Sequence, residues 1–275
     1  MAFFWCNGEW MKAGEFSLPP TDRGVILGLA LFETMLAVGG QPKFVPSHLK
    51  RWRESCARLG WIFPDIDLAA IGAELLRKNG LTEGRGRLRL TMTAGSGSIF
   101  DLANGSDAKT WITATPVDDP PASIAVMVSP WKRNACSPLA GLKTASYAEN
   151  ILALDHARKS GFGETLFFNT EDKLCEAATS NVFIVRGKRV LTPSLESGCL
   201  PGVARSVMID LAREQGFECL ETTLERMDLE NADEIFLTSA IRGPVPVSRL
   251  DQRPFSGTTV GSALQRCWKE EICAS

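Results

Sequence analysis

The sequence predicts an α+β protein with two domains, and three features of the chain support this fold class. Amphipathic helices alternate with strands, of which Arg87–Thr93 shows the cleanest alternation of polar and apolar residues. In the second half, short apolar strands follow one another through tight turns such as Arg186–Lys188, which favours an antiparallel, barrel-like sheet over a doubly wound one. Between the halves, the run Val117–Ala122 (Val-Asp-Asp-Pro-Pro-Ala) is typical of a linker.

The linker sets the predicted domain boundaries. We expect a small N-terminal α/β domain over 1–117, a linker over 118–122 and a larger, barrel-like C-terminal domain over 123–275.

In the N-terminal half, turn and cap residues separate the predicted elements. Two apolar runs around Asn7-Gly8 predict a hairpin. Lys43–Val45 is expected to be a short strand, and Ser47 is expected to cap a helix that ends at Gly60. The polar loop from Gly95 to Lys109 is either a substrate lid or disordered, and the sequence does not choose between them.

In the C-terminal half, Lys143 is predicted to lie on a loop that leads into a helix. Ser146 and Glu149 have the spacing of a capping box, so the helix is expected to start at Ser146. Further along, Pro201-Gly202 precedes a helix whose first turn contains Arg205 and no acidic residue. Either an anion binds at that helix N-terminus or Arg205 pairs with a carboxylate.

Composition excludes several classes of function. The 275 residues contain 30 Lys plus Arg and 32 Asp plus Glu, a net charge of -2, which argues against nucleic-acid or anionic-membrane partners. No apolar run approaches the length of a membrane span, so a cytoplasmic protein is expected. Eight scattered cysteines and only two histidines disfavour a metal site, a disulfide framework and a histidine-dependent hydrolase.

Four features together match the requirements of pyridoxal 5'-phosphate (PLP). They are a loop lysine, Lys143; a carboxylate on a later strand, Glu176; a helix N-terminus able to bind phosphate; and an additional arginine, Arg51. Each also has an ordinary interpretation. Lys143 and Arg51 could be solvated cations, and Glu176 could be a structural residue at a strand end.

The chain resembles the fold-type IV PLP enzymes, which include branched-chain and D-amino-acid aminotransferases and aminodeoxychorismate lyase. The matching motifs run in order along nearly the whole chain: Asp22-Arg-Gly24, Phe32-Glu-Thr34, His48-Leu-Lys-Arg51, Leu142-Lys-Thr144, Glu176-Ala-Ala-Thr-Ser-Asn181, Leu200-Pro-Gly-Val-Ala-Arg205 and Ala232-Asp-Glu-Ile-Phe-Leu-Thr238. The resemblance implies the D-amino-acid aminotransferase-like fold, PLP between the two domains, and a homodimer.

The resemblance also implies a role for each matching residue. Lys143 forms the Schiff base with PLP and moves protons, and Glu176 binds the pyridine nitrogen. The phosphate is bound by Arg51 and by the backbone N–H groups of Val203 and Ala204. Where aminotransferases often have a threonine for the phosphate this chain has Ala240, so Ser239 or the backbone is expected to serve.

Departures from the family pattern bear on the substrate. Gly28-Leu29-Ala30 replaces the usual Gly-Asp-Gly, which puts the hydrogen bonds of that loop in doubt. Phe32 and Ala94 replace a tyrosine and an arginine of the D-amino-acid enzymes. The spacing from Lys143 to Tyr147 is one residue shorter than in the branched-chain enzymes and is more similar to that in aminodeoxychorismate lyase.

The expected function is therefore a lyase that converts 4-amino-4-deoxychorismate to 4-aminobenzoate and pyruvate. Phe32 and Arg242 are candidate substrate residues, since an arginine fork suits a carboxylate. The alternative is a class IV aminotransferase acting on a branched-chain amino acid, a D-amino acid or a simple amine. A third hypothesis, a cofactor-binding protein without turnover, is disfavoured by the presence of both Lys143 and Glu176.

Overall fold

The computed structural model describes residues 2–257 and 259–274, and they group into two compact units. The first unit contains the chain up to Asp119 together with Leu142–Ser146. The second contains Pro120–Gly141 and Tyr147–Ala274. The chain therefore returns to the first unit for the short segment that carries Lys143.

The first unit is built on a six-stranded sheet in which every pair of neighbours is antiparallel. The predicted hairpin at its N-terminus is confirmed, and Asn7 and Gly8 both have positive φ, as a tight hairpin turn requires. In sheet order the strands are β2 (Glu9–Lys12), β1 (Phe3–Cys6), β6 (Thr110–Pro116), β5 (Arg85–Thr93), β3 (Ala30–Val38) and β4 (Gln41–Pro42).

Three helices accompany this sheet: α1 (Arg23–Ile26), α2 (Val45–Leu59) and α3 (Leu68–Lys78). One face of β3 and β5 contributes Met35 and Leu90 to a buried core that also contains Trp52 of α2 and Leu75 of α3. This packing fixes which residues of β3 point toward α2 and α3 and which point to the opposite face of the sheet.

Two predictions for this region are wrong and one is confirmed. Lys43–Val45 is not a strand and Ser47 is not the cap, because α2 already begins at Val45, with Pro46 in its first turn. Proline suits that position, since it has no N–H to donate and its φ is already helical. The predicted end at Gly60 is confirmed, and this residue has the left-handed conformation that glycine adopts most easily.

The second unit contains a nine-stranded sheet. Its hairpins are antiparallel, as predicted, but three of its pairs are parallel, so the sheet is mixed. The path of the sheet is β12 (Glu218–Thr222), β11 (Arg189–Pro193), β10 (Asn181–Arg186), β13 (Glu234–Ser239), β14 (Gly243–Leu250), β7 (Ile124–Val128), β8 (Glu164–Phe168) and β9 (Leu174–Ala177), with β15 (Arg253–Pro254) on β14. Because β9, at the end of this path, also lies beside β10, the sheet curls, and the α+β fold with a barrel-like unit is confirmed.

The helices of the second unit are α4 (Ala148–Lys159), α5 (Val203–Glu214), α6 (Arg226–Glu230) and α7 (Thr259–Ala274). Lys143 precedes α4 on a loop, as predicted, but the capping box is wrong. The helix begins two residues later than Ser146, whose hydroxyl instead donates to the Gly28 carbonyl at 3.1 Å. Within the described ranges, no helix combines the length and apolarity needed to cross a bilayer.

Arg23 organises the loop that follows β5. Its side chain is buried, and its Nε donates to the Gly95 carbonyl at 3.0 Å. One terminal nitrogen donates to the carbonyls of Ala94 and Ala103 at 2.8 and 2.7 Å, and the other donates to that of Asp101. The loop is therefore held by one guanidinium, whose planar array of donors suits several carbonyls at once.

We predict that Arg23→Met destabilises the protein by about 2–4 kcal/mol, because buried carbonyl groups lose their partners. Urea unfolding measures this loss, and limited proteolysis should show faster cleavage between Gly95 and Lys109. Arg87→Met, at an exposed position of β5, is the matched control and should change stability by no more than about 0.5 kcal/mol. Equal stability of the two variants would contradict this role of Arg23.

Candidate functional site

In the first unit, the Lys143 segment is hydrogen-bonded to the edge of β3. The Phe32 N–H donates to the Lys143 carbonyl at 2.9 Å, and the Ala145 N–H donates to the Ala30 carbonyl at 2.7 Å. Leu31 and Thr144 form the bridge between these bonds. The backbone of Lys143 is thus fixed as if it were part of the sheet, although sequence separates it widely from β3.

The Lys143 side chain lies over an aromatic ring. Its Nζ is 4.4 Å from the centroid of Phe32, which is itself buried. The Arg89 guanidinium also contacts this ring, at 3.9 Å. An aromatic face stabilises an ammonium group without removing a proton or forming a fixed ion pair. Phe32, predicted to contact substrate, therefore also contacts the amine expected to react.

Immediately after Phe32, Glu33 projects to the other face of β3 and anchors a buried charge cluster. Its carboxylate accepts from Nε and Nη2 of Arg51 at 2.8 and 2.5 Å, and His48 Nδ1 lies 2.7 Å away. Burial alone raises the pKa of Glu33, but the Arg51 charge and the bonds to His48 and Arg51 outweigh it and lower the pKa to about 2. Glu33 is therefore ionised at neutral pH.

His48 is the neutral member of this cluster. Burial lowers its pKa, and the charges of Arg51 and Lys143 act in the same direction, whereas Glu33 opposes them. A neutral imidazole beside an ionised Glu33 donates through Nδ1–H. His48 and Glu33 lie in motifs that match the family but had no predicted role. In the structure Glu33 positions Arg51, and His48 hydrogen-bonds to Glu33.

In the second unit, Glu176 lies on β9 directly opposite Phe167 of β8. Its Oε2 accepts from the Leu200 N–H at 2.9 Å, and its Oε1 lies 3.7 Å from Nη2 of Arg133. A carboxylate held near an arginine is stabilised in its charged form. It therefore suits a protonated ring nitrogen. Arg133 was missed by the sequence analysis because nothing in its local pattern indicates contact with Glu176.

The N-terminus of α5 is open. Gly202 is the cap residue and has no side chain to bond to the first-turn N–H groups, and that turn contains no acidic residue. Glycine is required there, because a Cβ would lie 2.0 Å from Oδ1 of Asn181. The N–H groups at Val203 and Ala204 and the positive end of the helix dipole suit a phosphate group.

Arg205 follows the second of its two predicted alternatives. Its Nη2 donates to Glu221 Oε2 and to the Pro193 carbonyl, both at 2.8 Å. It pairs with a carboxylate, so the cation in the first turn of α5 is structural.

The connection from β13 to β14 carries Ser239, Ala240 and Arg242. Ser239 Oγ accepts from the Arg242 N–H at 3.3 Å, and Nη2 of Arg242 donates to Thr179 Oγ1 at 3.1 Å. The Thr179 hydroxyl in turn donates to the fully buried Glu164. Burial raises the pKa of Glu164, although the Thr179 bond and the Arg242 charge oppose the rise.

Comparisons with known proteins indicate the family of this chain. The sequence model of the Amino-transferase class IV family matches residues 30–250. The chain is 26% identical to the aminodeoxychorismate lyase of Bacillus subtilis over 97% of this chain and 93% of that protein. It is 27% identical to a candidate branched-chain-amino-acid aminotransferase of Methanocaldococcus jannaschii over 94% of this chain and 92% of that protein.

A solved structure gives the same picture of the fold. The crystal structure of a candidate 4-amino-4-deoxychorismate lyase from Legionella pneumophila has a TM-score of 0.88 and 26% identity, covering 94% of this chain and 97% of that one. Proteins of the class IV family depend on PLP, and chains of this fold have been solved with PLP bound. The chemistry of the described residues fits that cofactor, since the chain offers an amine at Lys143, a carboxylate at Glu176, an arginine at Arg51 and the N-terminus of α5.

We predict that Glu33→Gln lowers stability at pH 7 by about 3–5 kcal/mol, because Arg51 loses its buried counter-ion. Glu33 has a lower pKa in the folded than in the unfolded protein, so its contribution is present above pH 4.5 and is lost as pH falls toward about 2. Urea unfolding of both proteins between pH 7 and pH 3 should therefore show the difference shrinking with acid.

Glu54→Gln provides the control for that comparison, because Glu54 is an exposed residue of α2. It should leave stability within about 0.5 kcal/mol of the parent. A stability loss in Glu33→Gln that stayed constant down to pH 3 would show that the carboxylate charge is not the cause.

Proposed function

We propose that this chain, which belongs to the class IV aminotransferase family, is a PLP-dependent lyase that converts 4-amino-4-deoxychorismate to 4-aminobenzoate and pyruvate in folate biosynthesis. The observation that carries the proposal is the similarity to the Bacillus subtilis lyase along almost the full length of both chains. The short spacing from Lys143 to Tyr147 supports it, as does Phe32, which supplies an aromatic face without a hydroxyl.

In this proposal each residue would have one task in binding PLP. Lys143 would carry the cofactor, and Glu176 would bind its ring nitrogen. Its phosphate is bound by Arg51, by the N–H groups of Val203 and Ala204, and by Ser239 or the backbone at Ala240. When bound, PLP supplies an electron sink for the carbon that bears the substrate amine.

Once the substrate amine has replaced Lys143 on the cofactor, the released Lys143 amine would act as the base that removes the proton from this carbon. The amine becomes an ammonium group when it accepts the proton, and the ring of Phe32, 4.4 Å from Nζ, stabilises that charge. The same ammonium group can return a proton to the product. Because the backbone of Lys143 is hydrogen-bonded to β3, its amine can move only within the region around Phe32.

Arg242 is proposed to bind a carboxylate of the substrate. Its guanidinium is half-buried and oriented by Thr179, so less side-chain freedom is lost when a carboxylate binds. Aminodeoxychorismate carries two carboxylates, one on the ring and one on the enolpyruvyl group, and loss of the latter group yields pyruvate. Aromatisation of the ring provides the driving force.

The second candidate is an aminotransferase, and the similarity to the Methanocaldococcus jannaschii protein favours it. A branched-chain amino acid would be the first substrate to test, ahead of a simple amine, while Phe32 and Ala94 argue against a D-amino acid. The same Lys143 would then move a proton between substrate and cofactor. We also propose that the protein is a homodimer, as the family resemblance implies, and that it is cytoplasmic, as its scattered cysteines and lack of a long apolar run suggest.

The decisive experiment is to incubate the PLP-loaded protein with 4-amino-4-deoxychorismate and no keto acid. We expect 4-aminobenzoate and pyruvate in equal amounts, detected by chromatography and by a lactate dehydrogenase assay. A strict requirement for 2-oxoglutarate or pyruvate as amine acceptor would instead identify an aminotransferase.

Substitution of Lys143 tests the catalytic assignment. Lys143→Ala should lower turnover by at least about 10⁴-fold. It should also prevent borohydride reduction from attaching PLP covalently to the protein. Lys159→Ala is the matched control, since Lys159 is an exposed lysine of α4 paired with Asp155. If borohydride trapped PLP on Lys143→Ala as it does on the parent, another lysine would be the attachment site.

A further inference from the structure

Arg133 lies on a platform formed by two side chains of the β8–β9 hairpin. Phe167 and Glu176 are direct partners in the register, so their side chains share one face. The guanidinium carbon of Arg133 is 4.5 Å from the centroid of Phe167, and Nη2 is 3.7 Å from Oε1 of Glu176. An arginine thus covers the aromatic residue and contacts the carboxylate beside it.

The backbone of Arg133 is attached to the same hairpin. Its N–H donates to the Phe168 carbonyl at 2.8 Å, and its carbonyl accepts from the Thr170 N–H at 3.0 Å. The side chain is steadied on the other side, where Nη1 donates to Asn150 Oδ1 and Glu149 Oε2, both at 3.3 Å. Arg133 is therefore positioned independently of its contact with Glu176.

The ion pair between Arg133 and Glu176 is screened by water less than the other ion pairs nearby. Glu149 is largely exposed, so water screens its attraction for the guanidinium. Lys132, the adjacent cation, is paired with the exposed Asp172 at 2.7 Å. Burial raises the pKa of the thiols of Cys175 and Cys199, so both are neutral at physiological pH. Arg133 and Glu176 are both mostly buried, and their interaction is screened less.

We propose that Arg133 is a positioning residue that keeps the proton shared by Glu176 and the cofactor ring on the ring nitrogen. The inference rests on the role of Glu176 in the proposed function. It assigns to this chain a second residue that sets the cofactor's capacity to accept electrons.

The position of one proton decides how well the cofactor ring accepts electrons. A carboxylate and a pyridine nitrogen can share it as an ion pair or as two neutral groups, and low dielectric surroundings favour the neutral form. Because Nη2 of the guanidinium lies 3.7 Å from Oε1 of the carboxylate, it stabilises negative charge there more than it would oppose positive charge on a ring nitrogen held by that carboxylate. Arg133 therefore favours the ion pair, in which the ring is charged and accepts electrons well.

The test measures the proton directly, by nitrogen-15 NMR of protein loaded with PLP labelled at the ring nitrogen. In the parent protein we expect the chemical shift of a protonated pyridine. In Arg133→Met, which removes the charge and retains much of the volume, we expect a shift toward the unprotonated value. A change of about tenfold in the proton equilibrium is expected, which corresponds to about one pKa unit.

Two further variants separate charge from structure. Arg133→Lys keeps the positive charge and should retain most of the protonated signal, even if its thermal stability falls. Lys132→Met removes the same charge from the adjacent, exposed position and should leave the signal unchanged. A merely structural Arg133 would change the melting temperature in Arg133→Met without moving the nitrogen signal.

The outcomes distinguish this inference from the function on which it rests. A protonated ring in the parent and an equally protonated ring in Arg133→Met would overturn the role of Arg133 alone. If the parent bound no labelled PLP, or bound it with an unprotonated ring, the role of Glu176 would fail first. If Arg133→Met did not fold, loss of the protonated signal in folded Arg133→Lys at the parent's pH would still contradict the proposal.

Discussion

The pairing of buried carboxylates with fixed cations is the constraint on which the rest of this structure depends. An ionised carboxylate removed from water is strongly destabilising unless charge and hydrogen bonds compensate it. Glu33 is compensated by Arg51, with His48 adding a hydrogen bond. Glu176 has Arg133 and the Leu200 N–H. Each pairing fixes the position of a charged group that the proposed chemistry uses.

Glu164 shows the other response to the same constraint. It is fully buried, and the hydroxyl of Thr179 lies between it and Arg242, donating to Glu164 and accepting from the guanidinium. Burial therefore has the larger effect on Glu164 and raises its pKa, whereas the contacts with Arg51 and His48 lower the pKa of Glu33. The pKa values of the two carboxylates therefore shift in opposite directions, because Glu33 accepts hydrogen bonds directly from its cation and Glu164 does not. In the proposed lyase, one orients Arg51 and the other, through Thr179, orients Arg242.

Local sequence patterns correctly predicted the turns and helix ends that depend on the backbone conformation of one or two residues. Asn7-Gly8 predicts its hairpin because both residues tolerate positive φ, and Gly60 predicts a helix end for the same reason. The predicted cap at Ser146 is wrong because its hydroxyl donates to the Gly28 carbonyl, more than a hundred residues away in the sequence. The predicted strand at Lys43–Val45 failed because Pro46 and the packing of α2 favoured a helix. A distant part of the chain decided the outcome at Ser146, whereas at Lys43–Val45 the adjacent Pro46 already favours the start of a helix.

The sequence by itself determined the family, the α+β class, and the identity of Lys143 and Glu176 as candidates for PLP chemistry, because these depend on ordered motifs along the chain. Only the tertiary structure decided that Lys143 is bonded to β3 and lies over Phe32, that Arg205 pairs with Glu221, and that Arg133 contacts Glu176. The physical reason is that an ion pair or an aromatic contact depends on distance in space. The periodicity of a sequence records which face of a helix or strand is buried, but not which distant residue that face meets.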